Sequence, residues 1–191
     1  MSVFEYLGVL LSVVMGLGLT HVLIGISKTI HHRDTLRLYP VHTLWALNIM
    51  LYIIAVWWGM FWWSGQTEWT FFQFLFIILY AIVLFLLASL LYPWDISPDL
   101  DFAEHFYRTR RWFFGILAAA WIIDVPETLL KAQGDLRDLP GGYVFFIAAQ
   151  VTLALTAAWT ANRRFHAFYA AAWLVLMLGY LSFTTLANIA G

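Results

Sequence analysis

Six long apolar segments, separated by short polar ones, make up most of the chain. The apolar residues come as unbroken runs and not as one stripe of an amphipathic helix, which favours contact with lipid. Each run is close to the ~20 residues that an α-helix needs to cross a bilayer. The pattern therefore predicts six membrane-spanning helices, at residues 3–27, 41–63, 69–91, 112–130, 143–161 and 165–189.

The longest polar segment, residues 92–111, lies between the third and fourth spans. Ser97 followed by Pro98 is typical of a helix start, with serine as the cap and proline in the first turn. After this start, Leu100, Ala103 and Tyr107 share one side. We predict a short amphipathic helix on the cytoplasmic membrane surface, ending in a basic group at headgroup level: Arg108, Arg110 and Arg111.

Small residues follow two sides of the first span. One side carries residues four apart, namely Gly8, Ser12, Gly16 and Thr20. A second, narrower side carries Gly18, His21 and Gly25. Since small side chains let a neighbouring helix come close in lipid, we predict that the first span is the inner helix of the bundle.

The composition agrees with a single transmembrane domain, residues 1–191, of all-α class. The chain is 63% hydrophobic and only 11% charged, whereas a soluble domain carries about 25% charged residues. With a net charge of −1, nucleic acid is not an expected partner. The absence of cysteine excludes disulfides and thiolate metal sites.

Basic residues are concentrated on one predicted side of the membrane. The connections after spans one, three and five hold eight of them: Lys28, Arg33, Arg37, Arg108, Arg110, Arg111, Arg163 and Arg164. The opposite side holds two, Lys131 and Arg137. The positive-inside rule then predicts that both termini lie outside, in what we expect to be a bacterial cytoplasmic membrane.

Asp124 and Glu127 are the leading candidates for a functional site. They are three residues apart on the fourth span and share a side. Pro126 between them removes a backbone donor and frees the carbonyl of Ile122. With Glu5 at a similar depth on the first span, three carboxylates could converge on a cation or proton. In the alternative interpretation, the span ends near Asp124 and Glu127 is hydrated at the interface.

Other polar residues inside the spans have two interpretations. Asn48, Gln73 and the deeper His21 could continue a polar path through the bundle, with His21 as an inner proton relay. Alternatively, such groups hold helices together by hydrogen bonds.

Histidine offers a second kind of chemistry. All six histidines fall on the predicted cytoplasmic half: His21, His31, His32, His42, His105 and His166. Imidazoles from different helices can ligate haem or a metal ion, for which His21, His42 and His166 are weak candidates. His42 and His166 lie in the first turns of their helices, at a different depth from His21. We therefore expect no cofactor, and the sequence does not identify one.

Three classes of function remain. The first is a transporter or channel for a proton, cation or small solute, with Asp124 and Glu127 as ligands. The second is a non-catalytic interaction or assembly subunit, with a homo-oligomer or other membrane subunits as partners besides the lipid bilayer. The third is a haem, metal or quinone redox protein. Neither a nucleotide-binding loop nor a nucleophile motif is present, so nothing in the sequence indicates an enzyme.

Overall fold

The computed structural model describes residues 2–66, 68–131 and 142–190, with side chains described as far as residue 182. Over these residues the chain is helical except for its connections and one isolated β-bridge. A short 3₁₀ helix, Met60–Gly65, prolongs the second helix. The α-helices are α1 Val3–His31, α2 Pro40–Gly59, α3 Phe71–Ser89, α4 Phe102–Lys131, α5 Tyr143–Trp159 and α6 Arg163–Ala190.

Five of these helices are long and apolar enough to cross a membrane, and α5, with 17 residues, is a shorter apolar helix. Large apolar side chains stand on the outer surface; Phe72 and Phe145, for example, are each more than 80% exposed. A water-soluble monomer rarely carries such a continuous apolar exterior. The fold therefore indicates a multi-pass membrane protein whose outer surface is compatible with lipid.

α2 is the central helix of the bundle. Trp45, Ile49 and Ile53 are fully buried along it, and it packs against α1, α3, α4 and α6. The prediction that the first span is the inner helix is wrong, because α1 lies at the edge and packs on α3 and α2.

Only one of the two small-residue sides of α1 contacts neighbours within the described chain. Gly18 packs against α3. Gly25 lies so close to the ring of Tyr92 that no side chain would fit. On the other side, no described atom lies within 4 Å of where a Cβ would stand at Gly8 or Gly16. Small residues permit a close approach but do not require one, which is why the stripe did not fix the position of the helix.

α4 begins at Phe102, ten residues before the predicted fourth span, and runs without a break to Lys131. The cap is Asp101, whose Oδ1 accepts the backbone N–H groups of Ala103 at 2.8 Å and Glu104 at 3.1 Å. The predicted start at Ser97 is wrong, because Pro98 and the residue after it form a turn. Residues from Phe102 onward are the first turns of α4 and not a separate helix.

The connections rich in basic residues meet at one end of the bundle. Arg37, between α1 and α2, pairs with the residues before α4: its N–H donates to Leu100 O and its carbonyl accepts from Phe102 N–H. Near the same end, the Arg111 guanidinium lies 5.5 Å from the ring of Trp159, the last residue of α5. The end of α2, Lys131 at the end of α4 and Tyr143 at the start of α5 come together at the opposite end, and Arg137 is outside the described residues.

Candidate functional site

A cavity of about 510 Å³ lies near the end of the bundle where α2 and α4 end and α5 begins. It lies between α2, α4, α5 and α6, with Tyr80 of α3 at its inner wall. This volume falls within the roughly 300–1,000 Å³ of small-molecule sites. Its polar lining residues are Tyr52, Tyr80, Trp121, Asp124, Glu127, Thr128, Lys131, Tyr143, Gln150, Trp173 and Tyr180.

Asp124 lies in the cavity wall because α4 continues through Pro126 to Lys131. The alternative in which this helix ends near Asp124 is therefore wrong. The Tyr143 hydroxyl lies 2.8 Å from Asp124 Oδ2, and the Tyr80 hydroxyl lies 3.5 Å from Oδ1. Within the described parts of the chain, no basic side chain forms an ion pair with Asp124. Among the described residues, hydroxyl groups alone therefore hold this carboxylate.

Glu127 is fixed in a different way. It is only 4% exposed. Its Oε1 accepts the indole N–H of Trp63 at 3.0 Å and forms an ion pair with Lys131 one turn later. The burial and the two protein partners of Glu127 do not fit the alternative in which its carboxylate is hydrated. The described residues thus place two carboxylates and one ammonium group in the cavity.

Three buried polar groups in the cavity wall have no protein partner. They are the indole N–H groups of Trp121 and Trp173 and the amide oxygen of Gln150, for which the described residues offer no hydrogen-bond partner. Buried polar groups in native proteins are nearly always paired with protein or water. Two donors and one acceptor in the cavity wall are therefore buried without a described partner.

Aromatic rings form much of the remaining wall. Tyr52 stacks on Trp121 with the ring centroids 5.4 Å apart, and Trp173 meets Tyr52 edge to face at 5.6 Å. Phe146 of α5 packs on Trp121 at 5.6 Å. Aromatic faces attract cations through their quadrupole. Together with the carboxylates, they give the cavity the chemistry of a cation site.

The structure does not bring Glu5 or Gln73 to this cavity. Glu5 forms a capping box with Ser2 at the start of α1, and Gln73 forms the same motif with Thr70 at the start of α3. Both motifs have the Ser/Thr-x-x-Glu/Gln spacing of a capping box, so sequence reasoning could have recognised this structural role.

Asn48 and His21 also lie outside the cavity lining. The Asn48 amide donates to Ala170 O at 2.9 Å and so joins α2 to α6. His21 Nε2 lies 3.0 Å from the carbonyl oxygen of Tyr92, and its ring contacts Trp94. These contacts correspond to the interpretation in which the polar groups hold the bundle together.

The buried histidines bond to backbone carbonyls. His42 and His105 both approach Leu91 O, at 2.6 Å and 3.0 Å, and His166 approaches Thr160 O at 3.1 Å. The candidate metal ligands His21, His42 and His166 each have such a carbonyl partner. In the part of the chain that is described, no three His, Asp or Glu side chains are arranged to hold a metal ion.

Sequence reasoning missed most of the residues around the two carboxylates. The contact of Lys131 with Glu127 could have been predicted, because residues four apart on a helix lie next to each other. Trp63 and Tyr143 come from other elements and carry no local signal, because a tryptophan or tyrosine near a span end is ordinary in any membrane protein.

No protein-family model matches this chain, and comparisons with curated proteins and with solved structures give no significant match.

Proposed function

We propose that this protein is a small transporter or channel for a cation or small solute, and that the cavity is its solute site. The observation that carries the proposal is a cavity of solute size whose described lining has two carboxylates and one ammonium group. Ionisable residues inside a membrane domain usually serve a function, because burying them in lipid is costly.

In this proposal Asp124 is the primary ligand. Its carboxylate has hydroxyl partners but no described cationic partner, so an incoming cation completes the site. Glu127 and Lys131 form a neighbouring ion pair, which together with Asp124 sets the net charge of the cavity. Six spans with both termini outside would place the cavity towards the exterior, following the distribution of basic residues.

The test is flux into proteoliposomes of protons, Na⁺ and tetramethylammonium. We expect the wild-type protein to carry at least one of these faster than empty liposomes, and Asp124→Asn and Glu127→Gln to reduce that flux. Asp99→Asn is the matched control, because Asp99 is an exposed residue of the connection at the other end of the bundle. Equal fluxes in wild type, both variants and empty liposomes would contradict the proposal.

A second candidate function is that of an interaction subunit. It is favoured by the outward side of α1, where Gly8 and Gly16 have no described neighbour and Ser12 and Thr20 are exposed. Small residues of this kind are enriched at helix contacts in membranes. Because the chain has no cysteine, Ser12→Cys gives a clean cross-linking test. Leu17→Cys is the control, because Leu17 is exposed but points away from the side of Ser12. Cross-linking of Ser12→Cys no stronger than that of Leu17→Cys would remove a symmetric contact at this face.

A further inference from the structure

We propose that the solute is an amphiphilic organic cation, and that it reaches the cavity sideways from the bilayer through the gap between α5 and α6. This inference rests on the proposed function and adds the substrate class and the route of access.

The route follows from the packing of α5. This helix packs mainly against α4 and touches α6 at few points, although both helices line the cavity. Three lining residues at this seam are also open to the outside: Phe146 is 41% exposed, Leu176 50% and Tyr180 53%. Side chains that face the cavity and the exterior at once mark its mouth. This mouth lies on the apolar outer surface of the bundle, which a bilayer would cover with acyl chains.

The positive charge of the solute follows from the inner wall. Lys131 forms its ion pair with Glu127, so in the described part of the cavity two carboxylates share one ammonium group. The rings of Tyr52, Trp121 and Trp173 surround the same space. Asp124 has no ion-pair partner among the described residues, and a carboxylate next to aromatic rings is the arrangement that recognises alkyl- or arylammonium groups.

The apolar part of the solute follows from the path between the two. A solute with its charge at Asp124 shares the cavity with the buried apolar side chains of Ile147 and Met177 and with Leu176, which is exposed at the mouth. This path offers mostly hydrocarbon. A fully hydrated inorganic cation would lose its water there without replacement, whereas an alkyl or aryl group gains apolar contact.

The binding test uses the protein in lipid nanodiscs and radiolabelled tetraphenylphosphonium, an aryl cation that partitions into bilayers. Binding to empty nanodiscs is subtracted. We expect saturable binding that Asp124→Asn weakens at least tenfold, which corresponds to ~1.4 kcal/mol, and that Asp99→Asn leaves unchanged. Tetraphenylborate has the same shape and the opposite charge, so it should not compete.

The access route is tested by narrowing the mouth. Leu176→Trp places a large ring at the seam and should slow the association of tetraphenylphosphonium. Val175→Trp is the matched control, because Val175 is 69% exposed on the same helix but does not line the cavity. Both positions are on the exterior, so this comparison stays informative even if Asp124→Asn does not fold.

The outcomes separate this inference from the proposed function. If tetraphenylphosphonium does not bind, but tetramethylammonium, Na⁺ or proton flux depends on Asp124, the proposed function stands and the amphiphilic substrate is refuted. If binding depends on Asp124 but association is equal in Leu176→Trp and Val175→Trp, sideways access is refuted. If neither binding nor flux depends on Asp124, both proposals fail.

Discussion

Replacing Lys131 with methionine should destabilise the protein, because it leaves the Glu127 carboxylate buried without its cation. The side chain of Glu127 is 5% exposed and that of Lys131 is 21% exposed. Methionine keeps the length and the apolar stem of lysine, so the change removes little besides the charge.

The size of the effect follows from the partners that remain. Removing one member of a buried ion pair costs ~3–5 kcal/mol. Here Trp63 still donates to Glu127 Oε1, and Lys131 is partly open to water. We therefore expect the lower part of that range, ~2–3 kcal/mol. Glu127→Gln should cost only ~1 kcal/mol, since the amide oxygen can still accept from Trp63.

The double variant tests whether the two residues act as a pair. Glu127→Gln with Lys131→Met has no charge left to bury, so its cost should be smaller than the sum of the single costs by ~1–2 kcal/mol. The assay is reversible unfolding in mixed micelles with rising dodecyl sulfate, followed by circular dichroism. Lys28→Met is the control, because Lys28 forms no ion pair with the described residues. Additive costs would refute the pairing, and so would a Lys131→Met variant as stable as Lys28→Met.

The same variants change the charge of the cavity. Lys131→Met leaves two carboxylates without an ammonium group, so the proposed cation should bind more tightly. Glu127→Gln leaves the Lys131 ammonium group without its partner in the same cavity, so binding of the proposed cation should weaken. Opposite shifts in the dissociation constant of tetraphenylphosphonium would follow from charge, whereas shifts in the same direction would indicate a general loss of structure.

Two predictions concern the fold. Gly25→Ala should lower the free energy of unfolding by ~1–3 kcal/mol, because its Cβ would overlap the Tyr92 ring. Gly16→Ala has no described neighbour at the new Cβ and should be neutral or stabilise α1 by ~0.5–1 kcal/mol. Equal unfolding midpoints for the two variants would contradict the close packing at Gly25. Asp101→Ala should lower the free energy of unfolding by ~0.5–2 kcal/mol through loss of the α4 cap, and Ser97→Ala should leave it unchanged. A larger loss for Ser97→Ala than for Asp101→Ala would support the helix start that the sequence predicted.

The sequence determined the helical class and the approximate position of each helix. Length and hydrophobicity are local properties, and a chain in lipid has to satisfy its backbone within each segment, so a long apolar run is enough to predict a helix. The shared side of Asp124 and Glu127 was also readable, because it depends only on the spacing along one helix. The first residue of α4 could not be read from the sequence, since both Ser97 and Asp101 are good caps. Only the contact of Arg37 with Leu100 and Phe102, on either side of Asp101, distinguishes them.

Tertiary structure alone decided the arrangement of the helices and the surroundings of the two carboxylates. Small residues on α1 permitted an inner position, but burial of Trp45 and its neighbours put α2 there instead. Asp124 and Glu127 have the same charge and almost the same place in the sequence. One is held by Tyr143 and the other by Trp63 and Lys131. Tyr143 and Trp63 come from elements far apart in the chain, and no local pattern encodes which of them will meet, because that depends on how whole helices pack.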